Sequence, residues 1–380
     1  MGWRSLVLLV WTSVMFAPSA PAQEAAASAR LAVGLSLETS EVHAQGPLTV
    51  HVTLTNTSGR DLTILKWHTP LEGFRSDMFQ VEQNGVSAPY LGALVKRGSP
   101  NAEDLVMLPQ GGSVSATVDL FKAYGIFEPG DYTVQFVSTV FVVSGSAARL
   151  STSDPGLTSE DLRSSPIRFK LLERRAPSAE VSKALSLRKP TPESLLRFGV
   201  APTPGFDQCS QEQKAALSNA RDNAMLLAAW GAINMWLSKR PNAPYQTWFG
   251  EYDDTRYTRV ANNFNEIYRV LAHEQALVLR CDDRTEDDCK PISNTIAFVY
   301  PSRPYVIHLC PAYWMIPPTG IDSQADTLVH ETSHFKVVAG TDDHVYGVAS
   351  CKDLAIRNPV QAIDNADSHA YFADTVAPSP

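Results

Sequence analysis

His330, Glu331 and His334 lie in the run H-E-T-S-H. Two imidazoles four residues apart share one helix face, because four residues come close to a full turn. Neutral histidine is a good zinc ligand, and two on one face supply half of a tetrahedral site. Glu331, between them, is placed to take a proton from a metal-bound water. The surrounding segment, Ser323 to Phe335, reads as a helix. Gln324, Ala325, Leu328 and Val329 favour it, and Asp322 or Ser323 can cap it. The bland alternative is an exposed helix face carrying two solvated histidines, since such a run arises by accident in about one chain in a hundred of this size.

A catalytic zinc needs three protein ligands and one open position. The extended pattern H-E-x-x-H-x-x-G-x-x-H fails, because Val337 stands where its Gly belongs and Gly340 where its last His belongs. No Glu follows Glu331, which excludes a Glu from a later helix. A downstream third ligand is therefore an Asp or a His. Gly340 can end the helix in a left-handed conformation and turn the chain back toward the metal. Asp342, Asp343 and His344 are then the near candidates, while Asp342 and Asp343 could equally form an ordinary capping turn.

The pair H-E-x-x-H and G-T-x-D-x-x-Y-G resembles the aspzincin metalloendopeptidases, the deuterolysin and peptidyl-Lys endopeptidase group. Thr319-Gly320 with Asp322 to Phe335, Trp248-Phe249-Gly250, Phe298 to Pro301, and Asn365-Ala366-Asp367 with Tyr371-Phe372 are similar to the peptidyl-Lys branch. The resemblance covers Gly205 to the C-terminus and not the first two hundred residues. It implies Asp343 as third zinc ligand, with Asp342 on the variable position, and Tyr346 as a stabiliser of the oxyanion. One Zn2+ on His330, His334 and Asp343 would lower the pKa of its water toward about 7. Glu331 would then act as general base and pass the proton to the leaving amine. Tyr346 could instead be a core aromatic with a satisfied hydroxyl. His344 neighbours the site and is read as a surface residue.

In the lysine-specific branch an Asp, and an acidic residue three positions later, bind the ammonium of the residue after the cut. The Asp falls on Asp367, but the second position is Ala370. Losing the second carboxylate removes much of the discrimination, so the resemblance implies at most a weakened preference for lysine. The alternative for Asp367 is a partner to a metal-ligating histidine, or a helix-surface charge.

The chain's 380 residues give room for two domains, each with its own core. A net charge of −8 with no basic cluster argues against nucleic-acid binding and against an electrostatic hold on anionic membranes. Arg4, the apolar run Leu6 to Phe16 and Ala20-Pro21-Ala22 read as a signal peptide cut after Ala22, with an uncleaved anchor as the competing reading. No other stretch approaches a membrane span. The expectation is a secreted monomer. Its five cysteines all lie in the second half and lack C-x-x-C spacing, as disulfides in an oxidising compartment would. The family pattern implies Cys209 with Cys281 and Cys289 with Cys310, leaving Cys351 as a buried free thiol.

Residues 23–172 have the texture of strands. Leu48 to Asn56, Ser113 to Leu120 and Asp131 to Val143 alternate with period two, and Ile167 to Leu172 reads as a last strand after a Ser- and Gly-rich loop, Ser144 to Ser165. Turn signals separate them, which points to an antiparallel β-sandwich of immunoglobulin-like kind. No catalytic constellation is visible there, and His43, His51 and His68 read as surface or strand residues. Residues 173–204 form a Pro- and Arg-rich linker whose prolines oppose a stable helix and whose exposure invites activation cleavage. Residues 205–380 read as a helix-rich α+β domain of zincin-like kind. Helices are expected over Gln211 to Lys239, Asp254 to Leu279, Gly347 to Ile356 and Val360 to Phe372, and a hairpin over Thr295 to Leu309 whose edge could align an extended substrate.

The multidomain reading is therefore a secreted zinc endopeptidase, made as a proenzyme whose β domain is a propeptide. It would act on protein and peptide substrates. Two alternatives stand beside it: a β-sandwich binding or adhesive protein with a structural metal site, and a zinc hydrolase of non-peptide amides or esters.

Overall fold

A computed structural model describes residues 30–143, 157–186, 203–238, 242–274, 276–281, 289 and 294–378. The signal-peptide reading over 1–22, the start of the expected loop (144–156) and the linker prolines 190, 192 and 202 lie outside them.

The first half is built of strands: β1 Leu31–Leu37, β2 Glu41–Val42, β3 Thr49–Asn56, β4 Leu62–Leu65, β5 Phe79–Gln83, β6 Val86–Ser87, β7 Leu94–Arg97, β8 Leu105–Leu108, β9 Ser113–Asp119, β10 Gly130–Val143, β11 Leu157–Arg163 and β12 Ile167–Leu171. One sheet has the order β1-β3-β9. The other runs β2-β12-β10-β4-β8, with β5 and β11 also on the long β10. Strand β3 alternates half-buried and buried residues through Val50, Val52 and Leu54, so one face meets the core and the other meets solvent. The two sheets share one apolar cluster that includes Val50, Leu54, Ile64, Phe79, Val134, Phe136 and Phe169.

The second half is helix-rich: α1 Ala179–Ser186, α2 Gln211–Ser238, α3 Ala243–Phe249, α4 Asp254–His273, α5 Gln324–His334, α6 Val348–Arg357, α7 Pro359–Ala362 and α8 Ala366–Val376. Strands β13 Gly205–Asp207, β14 Val278–Cys281, β15 Thr295–Val299 and β16 Val306–Leu309 stand beside them. Their sheet runs β13-β14-β16-β15-β7, so its last member comes from the first half of the chain. Disulfides join Cys209 to Cys281 and Cys289 to Cys310, and Cys351 is free and buried. Among the described residues no helix is long and apolar enough to cross a membrane.

Several expectations give way. Residues Leu157–Arg163, expected as loop, form β11 along β10; the polar pattern L-T-S-E-D-L-R hides a strand that buries little. Helix α4 stops at His273, where Glu274 turns extended at its C-cap, and the apolar residues beyond it belong to β14. The expected helix over Val360 to Phe372 is two, α7 and α8, broken where Asn365 bridges to Asp342. Part of the Pro-rich linker is helical after all, because the prolines leave Ala179–Ser186 untouched. His68 is buried, not a surface residue: its ring lies 5.3 Å from Tyr346 and 5.5 Å from Phe141.

Candidate active site

Helix α5 carries His330 and His334, the two candidate metal ligands. Ser323 caps it by accepting from the Asp326 amide, and every residue from Ala325 to His334 is buried. Ala325, Leu328 and Val329 pack into the apolar core, and the polar side chains buried with them need partners close at hand. His330 Nδ1 donates to Asp367 Oδ1 at 2.8 Å, and His334 Nδ1 to the Thr341 carbonyl at 2.9 Å. Those bonds fix both tautomers and aim both Nε2 atoms at one spot, 3.1 Å apart.

Gly340, at φ 63°, makes the expected left-handed turn and its amide bonds back to the Phe335 carbonyl. The chain then returns to α5 through Thr341, whose amide donates to the Ser333 carbonyl. Of the three near candidates, Asp343 alone faces the imidazoles. Its Oδ1 is 3.3 Å from His330 Nε2 and its Oδ2 3.4 Å from His334 Nε2. Asp342 is held by the bridge to Asn365. His344 is tucked against Asp364 at 3.2 Å and is partly buried, so it is not simply a surface residue.

Ligand atoms of His330, His334 and Asp343 all lie within 4.8 Å of one another. Both Asp343 oxygens are buried without a hydrogen-bond partner. Burial alone would raise the Asp343 carboxyl, but the two imidazoles hold it well below the usual range. A buried carboxylate without a hydrogen-bond partner, facing two ring nitrogens, is the donor set of a tetrahedral zinc site, and the residues fit that ion.

Around this triad lie the remaining groups singled out above. Burial pushes the Glu331 carboxyl up to about 8, with neighbouring His334 opposing, which suits a group that exchanges protons near neutrality. Neither of its oxygens has a hydrogen-bond partner. Burial also raises the Tyr346 hydroxyl well above its ordinary value, so it stays a donor; it donates to the Val95 carbonyl at 2.8 Å. Asp367 sits one turn from Ala370 on α8. Besides His330 it accepts from the Gly347 amide and from Lys96 Nζ at 2.5 Å.

Sequence reasoning missed Lys96, Val95 and Asp326. Strand β7 pairs antiparallel with β15, setting Leu94 opposite Val299, Val95 opposite Phe298 and Lys96 opposite Ala297. The edge expected to align a substrate is thus taken by the chain's own residues. All four residues of β7 are buried. Val95 packs with Phe298 and the Cys289–Cys310 pair, and Arg97 pairs with Glu72 at 2.7 Å. The one available signal was a lysine ending the apolar run Ala93-Leu94-Val95.

Residues 237–374 match a family described as lysine-specific metallo-endopeptidase, an aspzincin family. An extracellular protease of Aeromonas hydrophila is 31% identical over 325 residues, covering 86% of this chain and 87% of that protein. That alignment is longer than the stretch from Gly205 to Pro380, so similarity extends into the β-rich half, beyond the expected limit. A peptidyl-Lys metalloendopeptidase of Pleurotus ostreatus is 40% identical over 169 residues, 44% of this chain and 95% of its own. A solved zinc peptidase from Grifola frondosa is 34% identical, covering 44% of this chain and 97% of that one at a TM-score of 0.39. Endopeptidase relatives leave little room for an adhesive protein or a non-peptide hydrolase. With likeness along nearly its whole length to an extracellular protease, the chain belongs to the aspzincin metallo-endopeptidases and is a zinc metalloendopeptidase.

Proposed function

We propose that this is a secreted, monomeric endopeptidase that cuts before lysine, made as a proenzyme whose N-terminal domain fills its own cleft. The domain plan is a signal peptide over 1–22, an immunoglobulin-like prodomain over 23–172, a cleavable linker over 173–204 and a mature enzyme over 205–380. The observation that carries the reading is the seating of the Val95–Lys96 peptide. Tyr346 donates to the Val95 carbonyl, the Lys96 ammonium meets Asp367, and the segment lies in β-register on β15. The Lys96 backbone amide is close enough to Glu331 to favour that group's charged form. These contacts are what a substrate with lysine after the scissile bond would make.

A zinc ion on His330, His334 and Asp343 would acidify a water and polarise the scissile carbonyl. Glu331 takes the proton of the attacking water and hands it to the departing amine, whose place is marked by the Lys96 nitrogen. Tyr346 holds the carbonyl oxygen as it gains charge. Asp367 has two tasks: it fixes the tautomer of His330 and receives the lysine side chain. In the intact chain Lys96 and Val95 hold those positions, so an outside peptide is kept out until the linker is cut.

The test is a digest of a denatured protein mixture by the processed enzyme, read by mass spectrometry. New N-termini should be dominated by lysine. Glu331→Gln should lower cutting by about a hundredfold to ten-thousandfold while zinc stays stoichiometric. New N-termini without an excess of lysine, or a Glu331→Gln variant that cuts at the parent rate, would overturn the reading.

A further inference from the structure

We infer that Asp326, on the metal-binding helix, is the second carboxylate of the lysine pocket, taking over the task left open by Ala370. This rests on the reading that the enzyme cuts before lysine and names the residue that would set that preference. The Lys96 ammonium stands in for that of a substrate. It lies 2.5 Å from Asp367 Oδ1, 3.4 Å from Asp326 Oδ2 and 3.5 Å from Asp322 Oδ1, with its nitrogen 5.2 Å from the Tyr371 ring centroid.

An ammonium carries three donors and cannot be served by one oxygen. Asp367 Oδ1 is already shared with His330, and Asp367 Oδ2 with Gly347 and Tyr371. A further acceptor must come from elsewhere. Ala370 is fully buried among apolar neighbours and offers none. Asp326 is fully buried, and its other oxygen, Oδ1, has no hydrogen-bond partner. Asp322 has a side chain 46% exposed, so solvent screens its charge far more.

The chemistry follows from burial. With the pocket empty, or filled by an uncharged side chain, Asp326 and Asp367 lie buried side by side without the cation that keeps both ionised, and burial pushes the Asp326 carboxyl well above its ordinary value. Only a cation of lysine's reach relieves both. Discrimination therefore works as much by penalising neutral side chains as by attracting lysine. Asp326 also stands one helical turn before His330, so the pocket floor and the metal ligands ride on the same rigid element.

The experiment compares two peptides that differ only after the scissile bond, one with lysine and one with norleucine, which keeps the chain length without the charge. The enzyme is expressed as the full chain and processed, and the lysine-to-norleucine ratio of kcat/KM is read within each variant, so a general loss of activity cancels. Asp326→Asn should lower the ratio at least tenfold, and Asp322→Asn less than threefold. An unchanged ratio in Asp326→Asn, with a parent enzyme that prefers lysine, overturns this inference alone. A parent enzyme without that preference sinks the underlying reading instead. Should Asp326→Asn not fold, Asp326→Glu keeps the charge and moves it one methylene into the pocket. It should then shift preference from lysine toward the shorter ornithine at least threefold, and no shift would likewise overturn the assignment.

Discussion

The two halves of the chain bury different things. The β-rich half encloses an apolar cluster in which the ionisable groups stay outside. The helical half encloses charge: Asp326, His330, Glu331, His334, Asp343, Asp367 and His369 are all buried within it. Burial of that kind costs stability unless each group has a partner, and it persists where chemistry needs it. The exceptions in the β-rich half are His68, Lys96 and Arg97, and all three lie where it meets the other half. His68 touches Tyr346, while Lys96 and Arg97 belong to the strand that completes the catalytic sheet. Buried ionisable groups in a half built for apolar packing thus mark the face that it turns to the other half.

The largest effect should come from the charged half. Asp343→Ala removes one of the three proposed ligands and leaves His330 and His334 facing a gap. We expect zinc content to fall below stoichiometric and proteolysis to drop by at least about a thousandfold, since a metal held there would supply both nucleophile and carbonyl activation. Metal analysis of the purified variant checks this. A variant that keeps its zinc and cuts normally would erase the contrast between the halves.

A smaller effect should come from Lys96, whose ammonium reaches Asp367 and Asp326 in the other half. Lys96→Ala strands Asp326 and Asp367 without their cation, and breaking a buried pair in this way typically costs about 3–5 kcal/mol. If the N-terminal half blocks the cleft as proposed, the intact variant chain should then cleave a short lysine peptide at least about tenfold faster than the intact parent chain. Equal rates would show that docking of the β domain does not depend on that ion pair.

The smallest effect, and the sharpest test of the pairing, is with pH. Burial opposes the charge of both partners, yet Asp367 is held below its ordinary value by Lys96 and His330, and Lys96 well above 10.5 by Asp367, Asp326 and Asp322. A depressed carboxyl contributes stability that is present above its unfolded value of 3.8 and lost as pH falls below it. A raised ammonium contributes stability that is present below 10.5 and lost as pH rises through its folded value. Amide hydrogen exchange across Leu94 to Arg97 should therefore show steady protection between about pH 5 and about pH 9, with release only in stronger acid. Release at mildly acidic pH would mean that a different group governs the closed state.

How far these features could be read in advance follows the range of the interactions. His330, Glu331 and His334 announce themselves because one helical turn sets their geometry, and Gly340 marks the return that brings Asp343 in. Strands β3 and β10 show their period because one face of each is dry. Strand β11 does not, because its residues alternate among Ser, Glu and Asp at an edge. The division of α7 from α8 was hidden because it depends on Asn365 bonding the amides of His344 and Val345, residues of another loop. Strand β7 was hardest. Leu94–Arg97 is too short for a pattern and buried throughout, and its meaning depends on Asp367, 271 residues away.

One oxygen atom, Oδ1 of Asp367, accepts both from the imidazole that would ligate the metal and from the ammonium that fills the pocket. Electron density lent to one donor is withdrawn from the other, so the two binding events are thermodynamically linked. Whatever changes the grip on the side chain must change the basicity of His330, and the reverse. An enzyme wired in this way should hold its ion most firmly when the pocket stands empty and that one oxygen answers to the imidazole alone.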